Sequence, residues 1–247
     1  MKKYQFWMFA AILSFCGTLA LQAQIMKTED LEKYAKNKYG EKWLDAAANI
    51  ASGLTLDKNN NLTYQQVIEA PGKTKQQLYV MMNYWVTATF KDKQAITLND
   101  KESGTIIINA TMENIATHTG GISQYSVSIT PVIKIDIKDG KVRVTYTVQS
   151  YDVLRDISGG ILGAILDDRA GTFDDPKRKK QNITNRDLYD ETWALTTCYP
   201  FAAKDEHMAK RTSAKALVMA HAYSNAVIDK IEEAVKNGIV GNEDDDW

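Results

Sequence analysis

Residues 124–151, QYSVSITPVIKIDIKDGKVRVTYTVQSY, alternate apolar and polar side chains on both sides of Asp139-Gly140. Such alternation is typical of strands with one buried face, and Asp-Gly is a preferred two-residue hairpin turn. The turn pairs residues whose numbers sum to 279, so Asp136 lies opposite Arg143. The same rule gives three apolar pairs: Ile137 with Val142, Ile135 with Val144, and Ile133 with Tyr146. A slip of one residue would spoil both faces, so the sequence specifies the register of a hairpin over Gln124–Tyr151.

Signals before this hairpin predict further strands and a helix. Leu62–Glu69 is typical of a strand that ends at Pro71-Gly72. Thr74-Lys75-Gln76-Gln77 is a capping box and predicts the start of a helix. The apolar face of that helix recurs at helical spacing: Leu78, Met81, Met82, Trp85 and Ala88. Ala95–Asn99 and Thr105–Met112 are predicted to be short strands.

A long helix is predicted from about Asp205 to Asn237, with Gly238 as its stop signal. Its buried stripe consists of Ala216, Leu217, Ala220, Tyr223, Val227, Ile228, Ile231, Ala234 and Val235. Between hairpin and helix, Trp193, Leu195 and Thr197 alternate like a further short strand. The core order is β-α-β-β-β-β-α, and strands with one apolar face need a cover. We therefore expect an α+β fold, an antiparallel sheet with helices on one face.

The first residues have the pattern of a secretory signal peptide. Two lysines precede an apolar run from Phe6 to Leu21, and Ala20-Leu21-Gln22-Ala23 forms the small-residue exit before the cleavage site. The run is short for a membrane span and no second run follows, so we expect no transmembrane span in the mature chain. We expect an exported protein, periplasmic or in the outer envelope. Lipid anchoring at Cys16 is disfavoured because Phe15 stands where a lipoprotein peptidase requires a small residue.

Charge and cysteine content exclude two classes of protein. Without Lys2 and Lys3, 28 basic and 31 acidic residues leave a net charge of −3, and Glu243–Asp246 carry four of the negative charges. The nearly neutral body has no electrostatic footprint for nucleic acid. Cys198 is the single cysteine after the signal peptide, so no internal disulfide framework forms.

The element order is that of a half of the TATA-binding-protein fold, and several motifs carry a resemblance. They are Leu62-Thr63-Tyr64, Pro71-Gly72-Lys73-Thr74-Lys75, Leu78-Tyr79, Tyr84-Trp85, and Ile96-Thr97-Leu98-Asn99-Asp100 with Gly104. The sequence resembles a family of exported bacterial proteins classed as a domain of unknown function with a TBP-like fold. The resemblance implies that fold and an envelope location, and it brings no catalytic residues. Export argues against the DNA binding that the fold name suggests.

The chain then divides into six parts. They are a signal peptide (1–23), an N-terminal helical arm (24–56), a TBP-like α+β core (57–151), an irregular segment (152–203), a C-terminal helix that packs on the core (204–238), and an acidic disordered tail (239–247). Within the arm, Thr28 is the expected N-cap of the first helix.

The polar face of the predicted sheet is the candidate ligand or partner surface. It consists of Ser126, Ser128, Thr130, Lys134, Arg143, Thr145, Thr147 and Gln149. Three interpretations stay open: a solvent-facing sheet, a face covered by the arm or by residues 152–201, and a partner-binding face.

No cofactor, metal or catalytic site is predicted. His207 and His221 are fourteen residues apart on one helix, about 21 Å, and cannot share a metal. His221 is expected to be a hydrogen-bonded packing residue, His118 to lie in a loop, and Cys198 to be a buried or half-buried thiol. Asp57-Lys58-Asn59-Asn60-Asn61 begins like a calcium loop but lacks its glycine and glutamate, so a solvated turn is favoured.

Two further segments are interpreted without assigning chemistry. Ser158–Gly163 lacks the residues of a phosphate loop and is interpreted as an apolar turn. Lys177–Lys180 is interpreted as a solvated loop.

The leading hypothesis is a non-enzymatic binding module of the bacterial cell envelope, with an unknown envelope protein or small ligand as its partner. A hydrolase with its site in residues 152–201 and a structural subunit of an envelope assembly are the alternatives.

Overall fold

The computed structural model describes residues 25–90, 93–119, 124–156, 188–202 and 208–238. The helices are α1 (Thr28–Tyr39), α2 (Ala46–Ser52), α3 (Lys75–Thr89) and α4 (Lys210–Asn237). The strands are β1 (Leu62–Glu69), β2 (Ile96–Asp100), β3 (Thr105–Asn109), β4 (Met112–His118), β5 (Gln124–Ile129), β6 (Val132–Lys138), β7 (Lys141–Val148), β8 (Ser150–Asp156) and β9 (Leu188–Ala194). Short 3-10 turns occur at Trp43–Asp45, Lys93–Ala95 and Leu195–Thr197.

Several expectations concern residues outside these ranges. They are the signal peptide with Cys16, Ser158–Gly163, Lys177–Lys180, His207 and the acidic tail.

The described strands form two antiparallel sheets. The first sheet has the order β1-β7-β6-β3-β2, and the second has the order β4-β5-β8-β9. The β6–β7 hairpin has the predicted register, with Ile135 beside Val144 and Asp136 opposite Arg143. The antiparallel α+β architecture and the long C-terminal helix are therefore confirmed.

The division into two sheets was not predicted, and it corrects two strand assignments. Gln124–Tyr151 is not one hairpin, because β5 and β8 leave the first sheet on either side of β6–β7. Thr105–Met112 is likewise interrupted, and β3 and β4 lie in different sheets. Pro131 contributes no backbone donor at the first break, and its carbonyl oxygen accepts from Ala110 N at 3.1 Å. The two breaks therefore lie side by side, where the chain passes from one sheet to the other.

The inner faces of the sheets and α4 form the core. Ile106, Ile108, Ile133, Ile135, Ile137, Val142, Val144 and Tyr146 are buried in the first sheet. The predicted stripe of α4 is buried throughout, although the helix begins at Lys210 rather than near Asp205. On α3, Leu78, Met82 and Trp85 are buried as predicted, whereas Ala88 is exposed.

Helix starts were predicted with mixed success. Thr74 forms the predicted capping box with Gln77 at the start of α3. Thr28 is not an N-cap, because Lys27 holds that position and the Thr28 hydroxyl donates to the Glu113 carbonyl oxygen at 2.8 Å. The hydroxyl thus ties the N-terminal arm to β4. The predicted strand around Trp193 is β9, but Leu195 and Thr197 lie in a 3-10 turn.

The β6–β7 turn connects several elements. The Lys75 backbone N–H, in the first turn of α3, donates to Asp139 Oδ1 at 2.6 Å. Gly140 N donates to Lys73 O at 2.9 Å, and Ala70 N donates to Gly140 O at 2.8 Å. The Lys73 ammonium in turn donates to the Val235 carbonyl oxygen in the last turns of α4. The end of α4 therefore lies close to this turn.

Candidate functional site: the outer faces of the two sheets

The outer face of the first sheet is centred on Asp136. Its carboxylate accepts hydrogen bonds from Arg143 Nη2 at 2.7 Å and from Thr105 Oγ1 at 3.1 Å, and it pairs with Lys134 Nζ at 3.0 Å. Burial acts to raise the pKa of Asp136, but the hydrogen bonds from Arg143 and Lys134 outweigh it and lower the pKa below its ordinary value. The carboxylate therefore stays ionised and holds both cationic side chains on this face.

Four basic residues surround this carboxylate, and we call them the cationic patch: Lys134, Lys138, Lys141 and Arg143. A recess of 160 Å³ is lined by three of them together with Asp136 and Val67. Val67 is 46 % exposed and adds an apolar surface beside these charges. Glu69 is paired with Lys141 across β1 and β7. With four cations against Asp136, Glu69 and the turn residue Asp139, the surface carries a net positive charge.

Four residues of the predicted surface lie on this one face: Lys134, Arg143, Thr145 and Thr147. The side chains of Lys134 and Arg143 remain 43 % and 47 % exposed. Thr147 Oγ1 lies 3.5 Å from Thr63 Oγ1 on β1, which extends the polar row to the sheet edge. Because the buried residues of these strands point toward the helices, the described helices cover the opposite face.

The other predicted residues do not belong to this face. Ser126 and Ser128 lie on β5 in the second sheet, Thr130 lies at the break between sheets, and Gln149 is exposed between β7 and β8. Thr130 Oγ1 donates to Asp152 Oδ2 at 2.9 Å. The prediction of one continuous surface was wrong because the chain changes sheet on both sides of the hairpin.

The outer face of the second sheet is a concave surface of 460 Å³ with the opposite charge. Ser126 and Ser128 line it, and three acidic residues share their face: Glu113, Asp152 and Asp190. Glu191 also borders it, but its carboxylate binds Arg155 and Trp193, which the strand register places on the opposite face. Asn114 forms a β-bulge there at φ +55°, and its N–H donates to Ser128 Oγ at 3.1 Å.

The acidic residues were not predicted. Burial raises the pKa of Glu113, and Glu191 accepts from Arg155 Nη1 at 3.2 Å and from Trp193 Nε1 at 2.6 Å. They come from β4, β8 and β9, which are far apart in sequence, so no local pattern signals their proximity. Within the described ranges, no three His, Cys, Asp or Glu residues are grouped to hold a metal ion.

The described histidines and Cys198 have packing environments. His118 ends β4 rather than lying in a loop, and its ring stacks on Tyr125 with centroids 4.9 Å apart. His221 packs against Tyr64 at 5.2 Å, and burial, followed by the charge of Lys38, lowers its pKa. Cys198 is buried, as predicted. None of the three faces the cationic patch.

The His221 environment contains buried polar atoms without partners among the described residues. They are His221 Nδ1 and the hydroxyl groups of Tyr64 and Tyr146. The packing role of His221 is thus observed, but the hydrogen bond expected of it is not observed at Nδ1 within those ranges.

The segment Asp57–Asn61, which begins like a calcium loop, forms a closed turn. Asp57 Oδ1 accepts from the backbone N–H of Asn59 at 2.8 Å and of Asn61 at 2.9 Å, and Thr63 Oγ1 donates to Asp57 Oδ2 at 3.2 Å. The aspartate oxygens satisfy the turn itself, which agrees with the predicted solvated turn.

The core of the chain is similar to a known family. Residues 64–152, from β1 to the start of β8, match the model of a domain of unknown function with TBP-like fold, DUF4468. The chain therefore contains a TBP-like α+β domain. The match to this family model confirms the resemblance found in the sequence.

Two solved structures are similar. A TBP-like protein from Parabacteroides distasonis has a TM-score of 0.44 and 14 % identity, covering 73 % of this chain and 96 % of that chain. A DUF4468 family protein from Bacteroides ovatus has a TM-score of 0.42 and 12 % identity, covering 74 % of this chain and 94 % of that chain. Among curated proteins, none matches this chain. In the part of the chain that the structure describes, no helix combines the length and apolarity that a membrane crossing requires.

Proposed function

We propose that this chain is a non-enzymatic binding module of the bacterial cell envelope and that its partner docks on the outer face of the first sheet. The observation that carries the proposal is the cationic patch, whose Lys134 and Arg143 are held by Asp136 on a face opposite the described helices. A partner of matching chemistry presents carboxylates.

The geometry supports an acidic protein partner through preorganisation. Arg143 uses Nε and Nη2 on Asp136, at 3.2 and 2.7 Å, so its guanidinium is already oriented before a partner arrives. Oriented side chains lose less conformational freedom on binding, which favours affinity. Val67 and the threonine row add apolar and hydroxyl contacts beside the charges. Together they make the mixed surface typical of a transient protein interface.

Export of the module is part of this proposal and rests on the N-terminal sequence pattern. Its test is the intact mass of the chain recovered from the envelope fraction of the producing bacterium. We expect a mature chain that begins at Gln24. A chain that keeps Met1, or one that carries lipid on Cys16, would contradict the proposed processing.

The binding surface is tested by charge neutralisation. The double variant Lys134→Gln/Lys138→Gln is expected to lose a stoichiometric partner that the unmodified chain retains from envelope extracts. Lys36→Gln/Lys42→Gln is the matched control, because both lysines are exposed and lie in or beside the N-terminal arm. Equal retention by both variants, with unchanged circular dichroism, would overturn the assignment of the surface.

A further inference from the structure

We infer that the cationic patch is an intramolecular docking site for the acidic C-terminal segment of the same chain, Glu243-Asp244-Asp245-Asp246 with Trp247. Charge complementarity is the first argument. The segment carries four consecutive carboxylates. The patch carries four cations, against the three carboxylates of Asp136, Glu69 and the turn residue Asp139, so a net positive charge remains.

Proximity is the second argument. The Lys73 ammonium binds the Val235 carbonyl oxygen of α4, and Lys73 O accepts from Gly140 N at 2.9 Å. Lys138 and Lys141 flank that same turn and are paired across it. The last turns of α4 thus end beside the hairpin tip where the patch begins.

Chain length is the third argument. Glu243 follows Gly238 by five residues and Asp246 follows it by eight. An extended chain spans about 3.3–3.6 Å per residue, so the carboxylates reach about 17 to 29 Å from the end of α4. Adjacent strands are about 4.8 Å apart, and β1 is the edge strand on this side. The reach is sufficient to pass around β1 or the hairpin tip onto the outer face.

The patch also offers a contact for the aromatic residue that follows the acids. Val67 is 46 % exposed in the recess between the cations. An indole ring can cover such an apolar side chain while a neighbouring cation lies over its face. We assign Trp247 to this recess.

The test is zero-length carbodiimide cross-linking of the full chain, followed by peptide mass spectrometry. An equal mixture of ¹⁴N- and ¹⁵N-labelled chains separates links within one chain from links between chains. We expect links from residues 243–246 to Lys138, Lys141 or Lys134, within one chain, weakened at least fivefold in 0.5 M salt because screening shortens the reach of the charges.

Competing lysines provide the control. Lys230 and Lys236 are nearer to the segment in sequence, and Lys36 and Lys58 are exposed elsewhere. Links confined to Lys230 and Lys236, links spread evenly over all exposed lysines, or links of mixed isotope composition would overturn the inference; the last would show docking on a second copy.

One consequence rests on the proposed function. A tethered segment is present at millimolar effective concentration and competes with an acidic partner. The variant Glu243→Gln/Asp244→Asn/Asp245→Asn/Asp246→Asn is therefore expected to bind the partner about three- to tenfold more tightly. If Lys134→Gln/Lys138→Gln loses the partner but the unmodified chain forms no cross-links to the patch, the docking inference is refuted and the proposed function is not. If the unmodified chain forms cross-links to the patch but the double variant keeps the partner, the proposed function is refuted and the docking inference is not.

Discussion

The outer faces of the two sheets follow the same alternation but carry opposite charge. On the first sheet, Asp136 is surrounded by Lys134, Arg143 and Thr105, and its pKa is lowered. On the second sheet, Glu113 lies in an acidic concave surface, and burial raises its pKa. Asp136 has its counter-charges in place, whereas Glu113 has no ion pair within the described residues.

The difference follows from how each sheet is assembled. Asp136 and Arg143 face each other because a two-residue turn joins their strands. The acids of the second sheet meet because β9 pairs with β8 after a separation of 31 residues in sequence. Local pairing lets neighbouring residues be matched in charge, whereas the second sheet is brought together by distant segments. The compensated face thus holds its cationic side chains in ion pairs with Asp136.

The largest expected loss of stability comes from a pair of substitutions on β3, one on each face of the first sheet. Ile108→Ala removes a fully buried side chain and is expected to lower the free energy of unfolding by about 2–5 kcal/mol. Ile107→Ala is the matched control, since Ile107 is half-buried on the outer face, opposite Lys134. Urea denaturation measures both. Equal losses would contradict the assignment of inner and outer faces.

The second prediction compares the stability lost at two residues with positive φ, one beside each sheet. In Gly104→Ala, the new Cβ would lie 2.7 Å from Ile137 O at φ +74°, and we expect a loss of about 2–4 kcal/mol. Asn114→Ala also places alanine at positive φ, but the position is exposed, and we expect about 1 kcal/mol. Thermal and urea unfolding should rank the variants in that order. The reverse ranking would show that the bulge, rather than the turn, is the crowded site.

The third effect tests the compensation of Asp136. Asp136→Asn removes the counter-charge of Lys134 and Arg143 and is expected to cost about 1–2 kcal/mol at pH 7. A lowered folded-state pKa contributes stability above the ordinary pKa of about 4, and this contribution is lost as the pH falls through the folded-state value. The difference between unmodified chain and variant should therefore shrink below pH 4. A difference that is constant from pH 7 to pH 3 would contradict the ion-pair explanation.

The smallest expected effect is a gain in stability, and it concerns Glu113 on the second sheet. The raised pKa of Glu113 favours its protonated form, so its stabilising contribution is present at low pH and is lost as the pH rises through the folded-state value. Glu113→Gln should therefore be slightly more stable than the unmodified chain at pH 7, by less than about 1 kcal/mol, with no gain near pH 3. Urea titrations at both pH values measure this. Greater stability of the unmodified chain at pH 7 would show that Glu113 has a counter-charge.

Sequence reasoning succeeded where structure is specified by neighbouring residues. The register of β6–β7, the Asp136–Arg143 pair and the Thr74–Gln77 capping box are all observed as predicted. Each depends on side chains a few residues apart, whose geometry a turn or a helix start fixes.

Sequence reasoning was less successful where structure depends on distant contacts. To predict the division into two sheets, one would have had to recognise Pro131 and Ala110 as breaks, although the apolar and polar residues alternate almost continuously around them. The acidic concave surface required the pairing of β9 with β8, which no local pattern encodes. Thr28 was predicted to cap a helix, but its hydroxyl donates to the carbonyl oxygen of Glu113, which is 85 residues away in sequence.

The Asp139-Gly140 turn limits how this chain can be engineered. Its groups bind the start of α3, the end of β1 and, through Lys73, the last turns of α4. An epitope or fluorophore loop inserted there would separate three elements at once, although the position looks like an ordinary exposed hairpin tip. The Asp57–Asn61 turn closes on its own backbone and Thr63, and it is the safer of the two for a reporter.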